Sequence, residues 1–243
     1  MKKKLNLVMP MGGGGTRFGN MGFVVPKPMI EICGSPFFHL AAQSIAKYVD
    51  LDSITFVVLK DHVERFHISD RIKVYYPTAN IIVIPHVLSG AVLTCCEGIK
   101  SIDNDKPILF NDCDHFFKCK SFYEYCSLGN FNEIDGALLT FSSDSPNYSY
   151  VKFDVERHVI GTMEKVVVSD EAICGAYYFR NKDLFNQAVA TYLEKCTYDE
   201  YFMSGVYNIM IEMGMHIMTF RTDEHIAFGT PEEYDLAQRC KFQ

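Results

Sequence analysis

The chain has 243 residues, a length that fits one α/β domain. Its formal net charge is −7, and 48% of its residues are hydrophobic. The acidic balance, with no basic block beyond residues 2–4, argues against nucleic acid as a main partner. No run reaches membrane-spanning length, and the short apolar run after the lysines ends in glycines, unlike a signal peptide. Nine cysteines without a Cys-x-x-Cys motif indicate neither a zinc ribbon nor a redox pair. We therefore expect a cytoplasmic protein with reduced cysteines and no membrane partner; composition leaves its oligomeric state open.

The first predicted strand covers residues 5–9 and runs into a glycine-rich loop. A backbone without Cβ atoms can turn successive N–H groups inward and form a concavity for an anion. Arg17 adds a forked cation that matches phosphate oxygens in pairs. Lys27 lies between two prolines, which predicts a stiff, extended backbone around a cation aimed at one phosphate. The loop residues that we predict to bind a phosphate group are Met11, Gly12, Gly13, Gly14, Gly15 and Thr16.

Two other phosphate-binding loops do not fit this stretch. The dinucleotide fingerprint needs glycine at its sixth position, where this chain has Arg17 or Phe18 depending on the starting glycine. The P-loop ends in Gly-Lys-Ser/Thr, whereas Asn20 follows the last glycine here. The failed spacing argues against a nicotinamide-dependent oxidoreductase. A flexible glycine turn with an ordinary surface arginine stays open as the simpler interpretation.

Apolar patterns place further elements along the chain. In the first half they predict helices at 36–48, 61–72 and 90–99, and strands at 53–59, 80–84 and 106–111. In the second half they predict strands at 136–141, 150–154, 159–164, 172–179 and 216–221, and helices at 182–195 and 200–213. A last helix starts at Pro231, with Thr230 as its N-cap.

Near-continuous apolar strands that alternate with helices predict an α/β fold with a Rossmann-like, doubly wound, mostly parallel sheet. Ligands of such sheets bind at the carboxyl ends of the strands. We expect one domain over 1–243, with a first half at residues 1–118 and a second half at residues 119–243.

A pair of acids ends the strand predicted at 106–111. Asp112 and Asp114 are two residues apart, so in an extended segment their side chains share a face. Two neighbouring carboxylates repel each other unless a cation lies beside them, and Mg²⁺ held by one or two carboxylates plus substrate phosphates is the usual solution. A solvated strand end is the alternative.

These motifs together resemble the signature of the sugar-phosphate nucleotidylyltransferase family. Gly-x-Gly-Thr-Arg-Phe at residues 13–18, followed by Pro-Lys-Pro-Met at residues 26–29, carries the likeness. The resemblance implies the nucleotide-diphospho-sugar transferase fold and transfer of a nucleotidyl group to a phosphorylated acceptor, with release of pyrophosphate. It also implies that the loop residues 11–16 bind the nucleotide, and that Arg17 and Lys27 are catalytic. Residues 1–118 would then bind the nucleotide and residues 119–243 the acceptor. Asp114 would then bind Mg²⁺, with Asp112 as a second ligand or a supporting group.

Other segments resemble the same family. Residues 161–165 match its glutamate-lysine-proline segment, with Val166 in place of proline, which implies that Glu164 and Lys165 bind the acceptor. The strand that follows supplies Gly175. Residues 227–232 match an Asp-Ile-Gly-Thr-Pro-Glu pattern, but Ala227 replaces its aspartate, so a second metal ligand lacks a match. The segment that resembles the family's nucleotide-base contact comprises Ser89, Gly90 and Ala91.

Within the family, the small size and the Asn-Asp-Cys-Asp strand end resemble cytidylyltransferases of small phosphorylated acceptors. The likeness extends to the capsule-pathway group that uses CTP and phosphoglutamine. It implies CTP and a small phosphorylated acceptor, with L-glutamine phosphate expected to give CDP-L-glutamine. A sugar 1-phosphate or phosphocholine is the alternative acceptor. A catalytically silent nucleotide-binding regulator, suggested by Ala227, is the alternative of another class.

Overall fold

The computed structural model describes residues 3–103, 105–129 and 131–242. The strands are β1 Leu5–Met11, β2 Glu31–Ile32, β3 Ser35–Pro36, β4 Leu51–Leu59, β5 Asn80–Ile84, β6 Ile108–Asn111, β7 His115–Lys118, β8 Gly136–Ser142, β9 Ser149–Phe153, β10 Val159–Glu164, β11 Glu171–Phe179, β12 Ile217–Arg221 and β13 Glu224–Ala227. The helices are α1 Thr16–Asn20, α2 Phe37–Ala46, α3 Lys60–Phe66, α4 Ile68–Tyr75, α5 Ala91–Gly98, α6 Lys120–Leu128, α7 Lys182–Lys195, α8 Met203–Glu212 and α9 Pro231–Ala237. None of the described helices is long and apolar enough to cross a membrane.

One nine-stranded sheet runs through the molecule in the order β10-β9-β11-β6-β1-β4-β5, with β8 pairing β11 and β12 pairing β8. Strands β6, β1, β4 and β5 are parallel, as is the β12–β8 pair. This parallel centre with flanking helices confirms the predicted α/β fold class. Strand β11 enters antiparallel to β6, so Ala176 lies opposite Asn111, and the acids after β6 meet the middle of β11.

Both faces of the sheet are covered. Leu7 and Met9 of β1 pack in one apolar cluster with α2 and α6, while Val8 packs in another with α5, α7 and α8. Burial on both faces explains the near-continuous apolar sequence of the central strands. A third cluster lies beneath the glycine loop and ties α1 to the β7–β13 ribbon. It comprises Phe18, Ile30, Ile32, Phe37, Leu40, Phe116, Phe228 and Ala237.

The structure corrects several predicted elements. The helix predicted at 61–72 is two helices, because His67 takes a left-handed conformation with φ 53° between α3 and α4. The helix predicted at 200–213 begins only at Met203. Strands β7 and β13 form a separate antiparallel ribbon of four residues each, too short to give a periodic pattern. Helices α1 and α6 were also not predicted.

Candidate active site

A cleft of about 270 Å³ opens where β1 and β6 end. Its walls come from the glycine loop, α1, a short 3-10 turn at Lys27–Met29, and the acidic segment after β6. We call it the nucleotide cleft. Its lining residues are Pro10, Met11, Gly13, Gly15, Thr16, Arg17, Phe18, Lys27, Pro28, Asp112, Cys113, Asp114 and Gly229.

The loop glycines are needed for different structural reasons. A Cβ on Gly12 would lie 2.7 Å from Ile84 Cδ1, so this glycine lets the loop pack on β5 rather than line the cleft. Gly15 has φ +61°, and a Cβ there would lie 3.1 Å from Lys27 Cβ. Gly13 faces open space at the cleft, while Gly14 is exposed and outside the lining. The curvature of the loop therefore depends mostly on Gly15.

The two predicted catalytic cations both reach the cleft, with local conformations that the sequence did not predict. Arg17 lies on α1 rather than in a loop and is exposed. Lys27 opens a 3-10 turn, which corrects the predicted extended backbone; only Pro26 before it is extended, with ψ 143°. Pro28 restricts φ at the second residue of this turn.

An ion pair closes the base of the nucleotide cleft. Lys27 Nζ lies 2.5 Å from Asp114 Oδ2, and the two side chains are 22% and 18% exposed. Burial is the largest single influence on the pKa of Lys27 and would lower it, but the charge of Asp114, the neighbouring acidic groups and the hydrogen bond to Asp114 together raise that pKa. Burial alone would likewise raise the pKa of Asp114, but Lys27, and then His115, hold it below its usual range. Both groups are therefore charged at neutral pH.

The pKa of Asp112 is shifted in the opposite direction to that of Asp114. Its backbone N–H donates to the carbonyl of Gly175 at 2.8 Å. Gly175 has φ +77°, and a Cβ there would lie 2.8 Å from Asp112 Oδ2, so only glycine fits this contact. Burial, and then the charge of Asp114, raise the pKa of Asp112 to about 8, against a smaller opposing effect of Lys27. Asp112 therefore loses its proton at a much higher pH than Asp114 does.

A second cleft of about 190 Å³ adjoins the first and shares Asp112 with it. We call it the acceptor cleft. Glu164 lines it at the end of β10, where Oε2 accepts hydrogen bonds from Ser204 Oγ at 2.9 Å and from Ser149 Oγ. The lining residues are Ala91, Asp112, His115, Asn147, Tyr148, Ser149, Glu164, Ile173, Gly175, Tyr177, Phe202, Met203 and Ser204.

Besides Gly12 and Gly14, three predicted site residues lie outside both linings. Lys165 has φ +56°, and its Nζ lies 5.2 Å from the ring centroid of Phe202, at the margin of the acceptor cleft. Ser89 accepts a hydrogen bond from the backbone N–H of Tyr201 at 3.1 Å. Gly90 has φ +115°, and a Cβ there would lie 2.4 Å from Tyr201 N. Residues 89–90 thus pack on the segment before α8, and their contact with a base stays a prediction.

A carboxylate that the sequence analysis missed joins the two clefts. Glu233 Oε2 accepts from the backbone N–H groups of Gly229 and Thr230, each at 2.9 Å, and Oε1 accepts from Tyr148 Oη. A Cβ on Gly229 would lie 2.6 Å from Asp114 Oδ2, so this glycine allows the close approach. Threonine three residues before glutamate was a visible capping-box signal, and the box is present at the start of α9.

A histidine pair lies behind Asp114. His115 Nε2 is 3.4 Å from Asp114 Oδ1, and His115 Nδ1 is 2.8 Å from His225 Nε2. Burial lowers the pKa of both histidines. Ala227 occupies the position that matches the family's aspartate, and it pairs with His115 across the β7–β13 ribbon. This position is therefore close to Asp114, but its methyl side chain cannot ligate a metal ion. Among the described residues, no three or more His, Cys, Asp or Glu side chains are placed so that they could hold a metal ion together.

Residues 6–234 match the family model described as Nucleotidyl transferase. The chain belongs to the nucleotidyl transferase family. Members bind a nucleoside triphosphate and a sugar phosphate, and they commonly use a divalent metal. The chain is 26% identical over 236 residues to the D-glycero-alpha-D-manno-heptose 1-phosphate guanylyltransferase of Campylobacter jejuni, covering 95% of this chain and 97% of that one.

Solved structures of the family share the fold. The nucleoside-diphosphate-sugar pyrophosphorylase from Vibrio cholerae superposes with a TM-score of 0.81 at 23% identity, covering 96% of this chain and all of that one (100%). The inositol-1-phosphate CTP transferase from T. maritima superposes with a TM-score of 0.75 at 14% identity, covering 96% of this chain and 92% of that one. The nucleotidyltransferase class and the fold agree with the interpretation of the sequence.

Proposed function

We propose that this chain is a cytidylyltransferase, which transfers CMP from CTP to a small phosphorylated acceptor and releases pyrophosphate. The observation that carries the proposal is that two clefts meet at Asp112. One cleft holds two cations beside a glycine loop, and the other holds a fixed carboxylate among polar and aromatic side chains. The division between 1–118 and 119–243 is not strict, because Gly229 lines the nucleotide cleft and Ala91 the acceptor cleft.

In this mechanism an oxygen of the acceptor's phosphate attacks the α-phosphorus of the triphosphate in line, and pyrophosphate leaves. The attacking oxygen is already ionised, so catalysis is positioning plus neutralisation of charge. Arg17 and the glycine loop hold the β- and γ-phosphates. Lys27 stabilises the α-phosphate, and Lys165 at the cleft margin holds the acceptor's phosphate.

The acids of the nucleotide cleft fit Mg²⁺. Asp112 and Asp114 supply carboxylate oxygens on one wall of the cleft. Because Gly229 has no Cβ, the space beside Asp114 Oδ2 stays open on that side. Mg²⁺ takes one or two carboxylates and completes its shell with phosphates and water, so a third protein ligand is not required. Asp114 and Asp112 would hold the ion, which when bound supplies charge neutralisation on the substrate phosphates.

We propose L-glutamine phosphate as the acceptor, giving CDP-L-glutamine for capsular polysaccharide modification; this part rests on sequence resemblance. A sugar 1-phosphate or phosphocholine is the alternative. The relatives described above include a guanylyltransferase and a CTP transferase, so the identity of the nucleotide base needs a direct test.

A pyrophosphate-release screen tests the proposal. The purified protein with Mg²⁺ is given each of the four ribonucleoside triphosphates with L-glutamine phosphate, sugar 1-phosphates or phosphocholine. We expect release with CTP and one acceptor class. Release with GTP alone would contradict the cytidylyl assignment and leave the nucleotidyltransferase class intact.

A catalytically silent nucleotide-binding regulator is the second candidate, favoured by Ala227 at the position of the family's aspartate. It predicts calorimetric binding of a triphosphate without pyrophosphate release for any acceptor in the screen.

A further inference from the structure

Tyr148 contacts both sides of the candidate site, each through a different group. The residue lies directly before β9 and lines the acceptor cleft. Its backbone carbonyl accepts a hydrogen bond from the N–H of Lys165 at 3.1 Å, and its side-chain hydroxyl donates to Glu233 Oε1 on α9. One tyrosine therefore connects the margin of the acceptor cleft to the start of α9.

The other oxygen of Glu233 holds the turn before α9. Oε2 accepts hydrogen bonds from the backbone N–H groups of Gly229 and Thr230, each at 2.9 Å. The capping box uses this oxygen together with the side chain of Thr230, so capping of α9 does not account for the bond from Tyr148. A hydrogen bond to a carboxylate is stronger than one between neutral groups. Tyr148 therefore fixes Glu233, and with it the turn, from the side of the acceptor cleft.

The turn at residues 228–230 packs against Asp114 in the nucleotide cleft. The backbone N–H of Phe228 donates to the carbonyl of Asp114 at 2.9 Å, and Gly229 lines the cleft. A Cβ on Gly229 would lie 2.6 Å from Asp114 Oδ2, so the backbone of the turn lies against the carboxylate itself. A small displacement of this turn would therefore change the space beside Asp114.

We propose that Tyr148 is a positioning residue of the nucleotide cleft, although it lies outside the lining of that cleft. It acts through Glu233, which holds the turn at residues 228–230 against Asp114. The inference rests on the proposed function, because it takes the first cleft as the site of the nucleoside triphosphate. Burial, and then the hydrogen bond to Glu233, raise the pKa of Tyr148 above its ordinary value, so the hydroxyl keeps its proton and remains a donor at neutral pH.

Tyr148→Phe removes the hydroxyl and keeps the ring, so it tests this role. Binding of a non-hydrolysable analogue of CTP, and of GTP as the alternative base, is measured by calorimetry with Mg²⁺ and without an acceptor. We expect Tyr148→Phe to bind the preferred analogue roughly 3- to 10-fold more weakly, because the turn loses a bond that holds it in place. Tyr234→Phe removes a hydroxyl from the residue after Glu233, which lines neither cleft, and should leave the affinity unchanged.

A double variant tests whether the tyrosine acts through Glu233. Glu233→Gln keeps an oxygen for the capping box and removes the charge, and Glu232→Gln, an exposed acid on the same helix, is its matched control. The double variant Tyr148→Phe/Glu233→Gln should bind the analogue little more weakly than Tyr148→Phe does, because both changes act on one hydrogen bond. A merely structural role would lower the free energy of unfolding in urea and leave the affinity of the folded protein unchanged.

The outcomes separate this inference from the proposed function. Equal affinity of the wild-type and Tyr148→Phe proteins for the analogue would overturn the inference alone, as would fully additive losses in the double variant. Failure of the wild-type protein to bind either analogue would overturn both. Weaker binding by Tyr148→Phe, with no pyrophosphate release by the wild-type protein for any acceptor, would overturn the proposed function alone.

Discussion

Lys27 Nζ and Asp114 Oδ2 lie 2.5 Å apart, so the ammonium group occupies the side of the carboxylate where a metal cation would bind. The same lysine is the group proposed to meet the α-phosphate. One position of the Lys27 side chain cannot contact both Asp114 and the α-phosphate. Lys27 is therefore the counter-ion of Asp114, and the proposed metal ion would have to compete with it.

Replacing Lys27 should uncover this competition. Lys27→Met should tighten Mn²⁺ binding to the nucleotide-free protein about 10-fold, because removing one adjacent positive charge favours a cation at Asp114. Electron paramagnetic resonance of free Mn²⁺ measures it. Lys60→Met, an exposed lysine on α3, is the matched control. Equal Mn²⁺ affinity in the wild-type and Lys27→Met proteins would show that the lysine and the metal do not compete.

Arg17 should affect turnover but not stability. The side chain is exposed on α1 and lines the nucleotide cleft. Arg17→Ala should lower kcat/KM by roughly 10²–10³, the usual loss for one charge-stabilising donor, while the free energy of unfolding changes by less than about 0.5 kcal/mol. Steady-state pyrophosphate release and urea unfolding measure the two quantities. Normal turnover in this variant would remove Arg17 from the mechanism.

Asp112 should make the metal-free protein less stable as the pH rises. Its pKa is raised from 3.8 to about 8 in the folded state, so the folded protein holds a proton that the unfolded chain has lost. The stabilising contribution of the protonated carboxyl is complete below pH 3.8 and is lost as the pH rises to about 8. Asp112→Asn should therefore gain stability over the wild type at about pH 9, with little gain at about pH 4.

Urea unfolding in EDTA at both pH values tests this sign. Asp144→Asn, at an exposed acid that lines neither cleft, corrects for the general effect of net charge. A larger gain at the lower pH would contradict the raised pKa of Asp112.

Two loop glycines should respond differently to alanine. Gly90→Ala places a Cβ 2.4 Å from Tyr201 N at φ +115°, so the free energy of unfolding should fall by about 1–3 kcal/mol. Gly13→Ala meets no atom within 4 Å, so the fold should tolerate it while triphosphate affinity falls. Urea unfolding and nucleotide calorimetry on both variants separate the roles. A stable Gly90→Ala protein would show that the segment before α8 can move.

Lys165 should affect the acceptor more than the nucleotide. Its place at the margin of the acceptor cleft predicts that Lys165→Ala raises the KM of the acceptor roughly 10- to 100-fold, with a smaller effect on kcat, since a charge-assisted contact contributes about 1.5–3 kcal/mol. Phe202→Leu removes the ring beneath the lysine and should give a milder rise. An unchanged acceptor KM in Lys165→Ala would place the acceptor's phosphate elsewhere.

The amino-acid sequence by itself determined the α/β class and the central strands, and it predicted most of the residues that line the nucleotide cleft. An apolar run indicates a strand that is buried on both faces, and glycines and acids at strand ends indicate a binding site. Both signals can be read from the sequence because they are local. Thr230, predicted from sequence as an N-cap, is confirmed as the cap of α9 for the same reason.

Only the tertiary structure decided which of these groups meet. The contact between Lys27 and Asp114 joins residues 87 positions apart, and the contact between Tyr148 and Glu233 joins residues 85 apart. The antiparallel entry of β11 beside β6 brings Gly175 against Asp112. A periodic pattern fixes which face of a strand is buried, but not its neighbour or its register. Those depend on packing and hydrogen bonds between distant segments, and they alone set the charges and spaces of the two clefts.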